Sequence, residues 1–202
     1  MSARFLVLEG LDGSGTTTQA ERLTAHLEAS GASVVRTNEP TSGPIGRIAR
    51  QTLGAEPGAP SVDVLPWLFA ADRADHLSRL VRPALERGLT VLSDRYLPSS
   101  LAYQSLTLPL DAVWALNQSF DVPDALFYVH IDVETALARI DRRAGKREIY
   151  DNRERLTAVH GAYETVMTFL EDQGWPVRRI DGSQSIEAVT NALIDALPAR
   201  GA

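Results

Sequence analysis

Short apolar runs alternate with segments of helical spacing from one end of the chain to the other. Residues 5–8 read Phe-Leu-Val-Leu, an unbroken apolar run that suits a strand buried on both faces. Strands are likewise expected over 33–37, 90–93, 125–131 and 177–180. Between them, helical spacing marks 16–30 (closed by Gly31), a stretch from 44 to about 53, 62–87, 133–143 and 186–197. The 62–87 helix is expected to be interrupted near Pro66 and Pro83. Residues 10–15 and 38–44 are turn-rich and read as loops, and 54–60 is the densest Gly/Pro stretch. Strand-helix alternation of this kind points to an α/β fold with a mainly parallel sheet. In such sheets ligands bind at the carboxyl ends of the strands, which places 10–17, Glu39-Pro40 and 94–96 on one rim.

Composition narrows the function classes. At 202 residues and 44% hydrophobic, the chain reads as one domain over 1–202 with a sizeable core. The net charge of −6 argues against a surface built for nucleic acid or anionic membrane, and neither partner is expected. Without Cys there is no disulfide, thiolate nucleophile or thiolate metal site, and the four His lack zinc-ligand spacing. The first apolar run is too short for a signal peptide and no stretch is long enough to span a bilayer, so a cytoplasmic location is expected.

The most informative motif is Gly10-Leu11-Asp12-Gly13-Ser14-Gly15-Thr16-Thr17. It follows a strand and opens a helix, the context of a phosphate-binding loop. Glycines let backbone N–H groups close around phosphate oxygens, and the helix N-terminus adds partial positive charge. Thr17 holds the hydroxyl position suited to Mg²⁺, but Thr16 stands where the pattern calls for Lys. On this motif alone three readings stay open: a ligand-free glycine turn, a loop that binds nucleotide without chemistry, and an active loop that draws its cation from elsewhere.

Three longer blocks carry a family resemblance. Residues 8–15 (Leu-Glu-Gly-Leu-Asp-Gly-Ser-Gly), 69–76 (Phe-Ala-Ala-Asp-Arg-Ala-Asp-His) and 93–104 (Ser-Asp-Arg-Tyr-Leu-Pro-Ser-Ser-Leu-Ala-Tyr-Gln) resemble the thymidylate kinase family, in its order and at its spacing. Leu116-Asn117, Pro123-Asp124 and 180–184 are weaker echoes. The resemblance implies a P-loop kinase fold with five parallel strands in the order 2-3-1-4-5 and helices on both faces. It implies transfer of the γ-phosphoryl of ATP to dTMP with Mg²⁺, by a chain that pairs as a homodimer.

Residue by residue, the resemblance assigns ATP phosphates to Gly10, Asp12, Gly13, Ser14, Gly15, Thr16, Thr17 and Thr18, and Mg²⁺ to Thr17, Asp94 and Glu9. Phe69 matches a residue stacked on thymine, with a core aromatic as the alternative. Arg73, one helical turn on, matches a contact to the acceptor's base and phosphate region, with a surface Asp72–Arg73 pair as the alternative. Arg95 is implied to bridge acceptor and donor phosphates. Ser99, Ser100 and Gln104 join the acceptor site, Ser100 at the thymine edge. Tyr103 is implied under the sugar, where it would exclude a 2′-hydroxyl. Asp12 is implied at the acceptor's 3′-hydroxyl, and the Glu39-Pro40 loop at its phosphate. That loop reads Asn38-Glu39-Pro40-Thr41-Ser42-Gly43 where many bacterial members have Arg-Glu-Pro followed by Gly-Gly-Thr.

Residues 139–155 hold seven cations and four acids in a chain of net charge −6. The segment of about 141–152 matches the family's lid, which closes over ATP and excludes water. Arg142, Arg143, Lys146 and Arg147 are the expected sources of the charge that Thr16 lacks. A solvated helix face with i,i+4 pairs is the alternative.

Overall fold

The computed structural model describes residues 3–144 and 149–198. Its strands are β1 (Phe5–Gly10), β2 (Val34–Asn38), β3 (Thr90–Asp94), β4 (Ala125–His130) and β5 (Val177–Asp181). They form one all-parallel sheet in the order β2-β3-β1-β4-β5, the expected topology. Every residue of the central β1 is buried, whereas the edge strands β2 and β5 are largely half-buried or exposed. The apolar runs therefore sort by their place in the sheet: continuous in the middle, broken by polar residues at the rims.

Helices cover both faces: α1 (Thr16–Ala29), α2 (Pro44–Leu53), α3 (Leu65–His76), α4 (Arg82–Glu86), α5 (Leu97–Gln104), α6 (Leu110–Asn117), α7 (Val133–Ala144), α8 (Ile149–Asp172) and α9 (Ile186–Asp195). Side-chain alternation along β1 divides the core in two. Leu6 and Leu8 pack with Ala20, Leu23 and Leu27 of α1 and Val189 and Leu193 of α9. Phe5 and Val7 face the larger cluster, which includes Leu97 and Leu101 of α5 and Val159, Tyr163, Val166 and Leu170 of α8.

The 62–87 region is interrupted next to Pro66 and Pro83, as expected. A 3₁₀ turn at Val62–Val64 leads into α3, with Pro66 near its start, and a π-helical segment at Leu77–Val81 precedes α4. Pro83 lies at the start of α4 and offers no N–H, so the irregularity falls in the turn before it. The helices α5, α6 and α8 have no counterpart among the expected elements. No described helix is long and apolar enough to cross a membrane.

Leu23 is fully buried where α1 meets the sheet. Leu23→Ala is expected to lower unfolding free energy by about 2–5 kcal/mol, read by urea denaturation.

Candidate active site

The end of β1 turns into α1 through residues 11–15. Gly13 and Gly15 have φ of +88° and +93°, and a Cβ on Gly13 would lie 2.8 Å from the Ala136 carbonyl oxygen on α7. Only glycine meets both demands at position 13. The Ser14 N–H donates to the Leu11 carbonyl at 2.9 Å, while the Ser14 hydroxyl is buried without a protein partner. No acidic residue stands in the first turn of α1 to cancel the helix's positive end.

The loop lies between two clefts and lines both through Gly13 and Gly15. One, about 590 Å³, is bounded by Asp12, Thr16, Thr17, Arg36, Asn38, Glu39, Pro40, Arg50, Asp94 and Arg95. The other, about 410 Å³, is bounded by Ser14, Thr18, Arg139, Arg142 and the 182–189 segment. Arg139 donates to the carbonyls of Ser14 (3.2 Å) and Gly182 (2.8 Å), fastening the loop to the turn after β5.

In the first cleft, Thr17 Oγ1 donates to Asp94 Oδ2 at 2.7 Å, and Asp94 Oδ1 is buried without a protein partner. A hydroxyl and a carboxylate with a spare oxygen fit a hard divalent cation that keeps most of its water. The residues present therefore suit Mg²⁺.

Arg95 follows at the end of β3 with φ of +73°, a left-handed backbone that costs a non-glycine residue about 1–3 kcal/mol. Its N–H donates to the Leu8 carbonyl at 2.8 Å, and its own carbonyl accepts from the Ser93 hydroxyl at 2.8 Å. Its guanidinium donates to Asp12 Oδ1 (2.5 Å), Ser99 Oγ (3.0 Å) and the Tyr163 hydroxyl (3.2 Å), and lies 5.5 Å from the Tyr103 ring centre. The Tyr103 hydroxyl donates to Asp12 Oδ2 at 3.0 Å. Burial pushes that hydroxyl up to about 12 against the opposing pull of Arg95, so it stays a donor at neutral pH.

Glu9 lies beneath this cluster, fully buried. Its Oε1 accepts from the N–H groups of Tyr96 (2.7 Å) and Ser99 (3.1 Å), and its Oε2 from the hydroxyls of Ser99 (2.7 Å) and Tyr163 (3.0 Å). Burial pushes its carboxyl up, while the Arg95 charge and these hydrogen bonds pull it down, with a net rise. With four protein donors on two oxygens, Glu9 anchors the start of α5 and orients Ser99 and Tyr163.

A second buried network forms the far wall. Arg73 is 1% exposed and donates through Nε to Glu39 Oε2 (3.0 Å), through Nη2 to Ser100 Oγ (2.9 Å) and through Nη1 to Asn117 Oδ1. Glu39 Oε1 meets His76 Nδ1 at 3.0 Å, and His76 Nε2 meets Thr37 Oγ1 at 2.8 Å. Asp72 is not a surface partner of Arg73. It is buried and accepts from the N–H and hydroxyl of Thr41, pinning the loop after Pro40. Arg50 donates to the Pro40 and Thr41 carbonyls of that loop.

The remaining expected residues are scattered around these networks. Phe69 is half-buried on α3 and is not among the described residues packed on either core cluster. Gln104 is buried with both amide atoms unpartnered. Arg142 lines the second cleft, with its Nε donating to the Ala138 carbonyl. Lys146 and Arg147 lie outside the described residues, as does the side chain of Arg143.

Tyr163, Asn117, His76 and Arg139 enter the site without having been expected there. The signal for Tyr163 is the helical spacing of Leu156, Val159, Tyr163, Val166 and Leu170, all buried on α8.

A family model for thymidylate kinase matches residues 8–193. The thymidylate kinase of Bifidobacterium longum (strain DJO10A) is 40% identical over 210 residues, covering 96% of each chain. That of Xanthomonas oryzae pv. oryzae (strain PXO99A) is 43% identical over 164 residues, covering 79% of this chain and 71% of its own. That of Prochlorococcus marinus (strain MIT 9313) is 38% identical, covering 96% of this chain and 93% of its own. A match of this extent, on a sheet of order 2-3-1-4-5 with a phosphate loop at its central strand, means that the chain belongs to the thymidylate kinase family.

Proposed function

We propose that the chain phosphorylates dTMP to dTDP with ATP and Mg²⁺. The observation that carries this reading is the Arg95 cluster, which joins the phosphate loop through Asp12 and lines the same cleft. An oxygen of the dTMP phosphate attacks the γ-phosphorus, the bond from that phosphorus to the ADP oxygen breaks, and ADP leaves. Such transfer asks the protein for alignment and cations rather than a strong base.

In this reading the 10–18 segment cradles the ATP phosphates. Thr17 and Asp94 hold Mg²⁺, which when bound neutralises phosphate charge. Arg95 spans the two phosphates, and the Glu39-Pro40 loop lines the acceptor's side. Asp12, oriented by Tyr103 and Arg95, takes the 3′-hydroxyl. Phe69 offers its free face to the base, and Arg73, Ser100 and Gln104 meet the base edge. Tyr103 blocks a 2′-hydroxyl. The whole chain acts as one kinase domain with a lid over about 141–152. Pairing into a homodimer is supported by exposed Ile48, Leu53, Val62 and Trp67 on and beside the packed helices α2 and α3.

The decisive experiment is ADP release with ATP, Mg²⁺ and dTMP, omitting each nucleotide in turn. Rapid release that requires dTMP is the expected result. Binding of both nucleotides without turnover, measured by calorimetry, would instead make Thr16 decisive and the chain a silent binder.

Two further outcomes follow. An arginine-type cation is worth about 10³–10⁵ in rate, so the charge lost at Thr16 must be recovered. Alanine at Arg142, Arg143, Lys146 and Arg147 in turn is expected to lower kcat more than about tenfold at one position or more. Equal rates in all four variants would reject the lid as the source. Tyr163→Phe keeps the ring packed on Tyr128 but removes its hydroxyl from Glu9, Ser99 and Arg95. A fall in kcat of about ten- to a hundredfold is expected, with KM for ATP little changed and the melting temperature lowered by a few degrees, because buried Glu9 loses one of its four donors.

A further inference from the structure

Outside the phosphate cleft, one group of side chains converges on a single point. His130 ends β4, and His160 and Glu164 stand one turn apart on α8. Each offers a ligand atom, and the three atoms lie within 4.8 Å of one another. His130 Nε2 is 3.5 Å from Glu164 Oε1, and the two imidazoles are 5.4 Å apart at 56°. Ligands at about 2.0–2.1 Å from a tetrahedral ion stand about 3.4 Å from each other, so the first pair already has that spacing.

Two other observations point the same way. His160 Nε2 is buried with no protein partner, an arrangement that is costly unless something else satisfies it. Glu164 is held from behind: the Tyr128 hydroxyl donates to Oε1 at 2.9 Å and Arg179 to Oε2 at 2.8 Å. Outer partners of this kind fix the direction of a ligating carboxylate. Asp181, which pairs with His130 across the sheet, is occupied by Ser183 and Gln184 and adds charge rather than a ligand.

We propose that His130, His160 and Glu164 form a binding site for one divalent transition-metal ion of the zinc class, separate from Thr17 and Asp94. Two imidazoles and one carboxylate select borderline ions over Mg²⁺ or Ca²⁺. Three protein ligands leave a fourth position for water. The ion ties β4 to α8 beside Tyr163, whose hydroxyl reaches Arg95, so it stiffens the helix that supports the Arg95 cluster. The proposal stands independently of the phosphoryl-transfer reading.

The test is titration of the full, nucleotide-free chain with Co²⁺ in excess Mg²⁺, followed by visible absorption. One equivalent is expected to give tetrahedral d–d bands that Zn²⁺ abolishes. His130→Ala and His160→Ala should each weaken binding at least about tenfold, while Asp94→Asn leaves the bands unchanged. Zn²⁺ should also raise the melting temperature of the parent chain and not of the histidine variants. No Co²⁺ bands in the parent, bands retained in both histidine variants, or bands lost in Asp94→Asn would each overturn the proposal. If a histidine variant does not fold, as read by circular dichroism, Glu164→Gln gives the same reading.

Discussion

The site depends on one buried carboxylate. Glu9 leaves β1 fully enclosed, and an enclosed charge is tolerated only when its hydrogen bonds are filled. Filling them brings together three parts of the chain. The N–H groups of Tyr96 and Ser99 come from the start of α5, the Ser99 hydroxyl from its first turn, and the Tyr163 hydroxyl from α8. Tyr96 and Ser99 sit where a helix leaves N–H groups unpaired, so Glu9 caps α5 from a neighbouring strand. Arg95 is the residue just before this cap. Its left-handed backbone is held between the Leu8 carbonyl and Ser93, and its side chain rests on the same Ser99 and Tyr163 that Glu9 orients. The direction of the guanidinium is thus set by a group that does not touch it.

Thr16 changes how charge is distributed around the phosphate loop. In the described residues the first cleft carries Arg36, Arg50 and Arg95, and the second carries Arg139 and Arg142. Most of these have structural work. Arg50 binds two loop carbonyls, Arg139 two others, Arg36 pairs with Glu21, and Arg95 with Asp12. The Arg36–Glu21 pair is about half exposed, so it is weak and easily exchanged. Arg142 makes only a local bond to its own helix among those described, and it leads directly into the cation-rich segment. A lid source for the missing charge therefore asks least of the rest of the site.

Much of this was legible in the sequence, and the reasons for the remainder are physical. The five strands announce themselves because central parallel strands must be apolar on both faces. The phosphate loop is legible because its glycines answer local backbone demands, such as the positive φ at Gly13. α8 is obscured by the charged segment before it, which reads as a lid over about 141–152 rather than as the start of a long helix, although the apolar spacing beyond Leu156 is helical. Buried polar networks are the least legible of all. Nothing near Arg73 in sequence indicates that its partners are Glu39, Ser100 and Asn117, since each lies at least 27 residues away. Asp72 shows the same limit, because its partner is Thr41 rather than the adjacent arginine.

That network also explains how the proposed acceptor site would discriminate. Its wall is built from buried groups whose hydrogen bonds are largely satisfied internally, which makes it stiff. Arg73 is fixed by three partners and lies near the rings of Tyr96 (5.1 Å) and Phe120 (5.7 Å). Gln104 is the exception, buried with neither amide atom paired within the protein. An unpaired buried amide costs about 1–3 kcal/mol, and a ligand that pairs it regains that cost while one that cannot does not. Sites that recognise polar edges in this way reject analogues more sharply than apolar pockets do. In the proposed reading, Gln104 adds one unsatisfied group to a base edge that Arg73 and Ser100 meet with hydrogen bonds already made to each other.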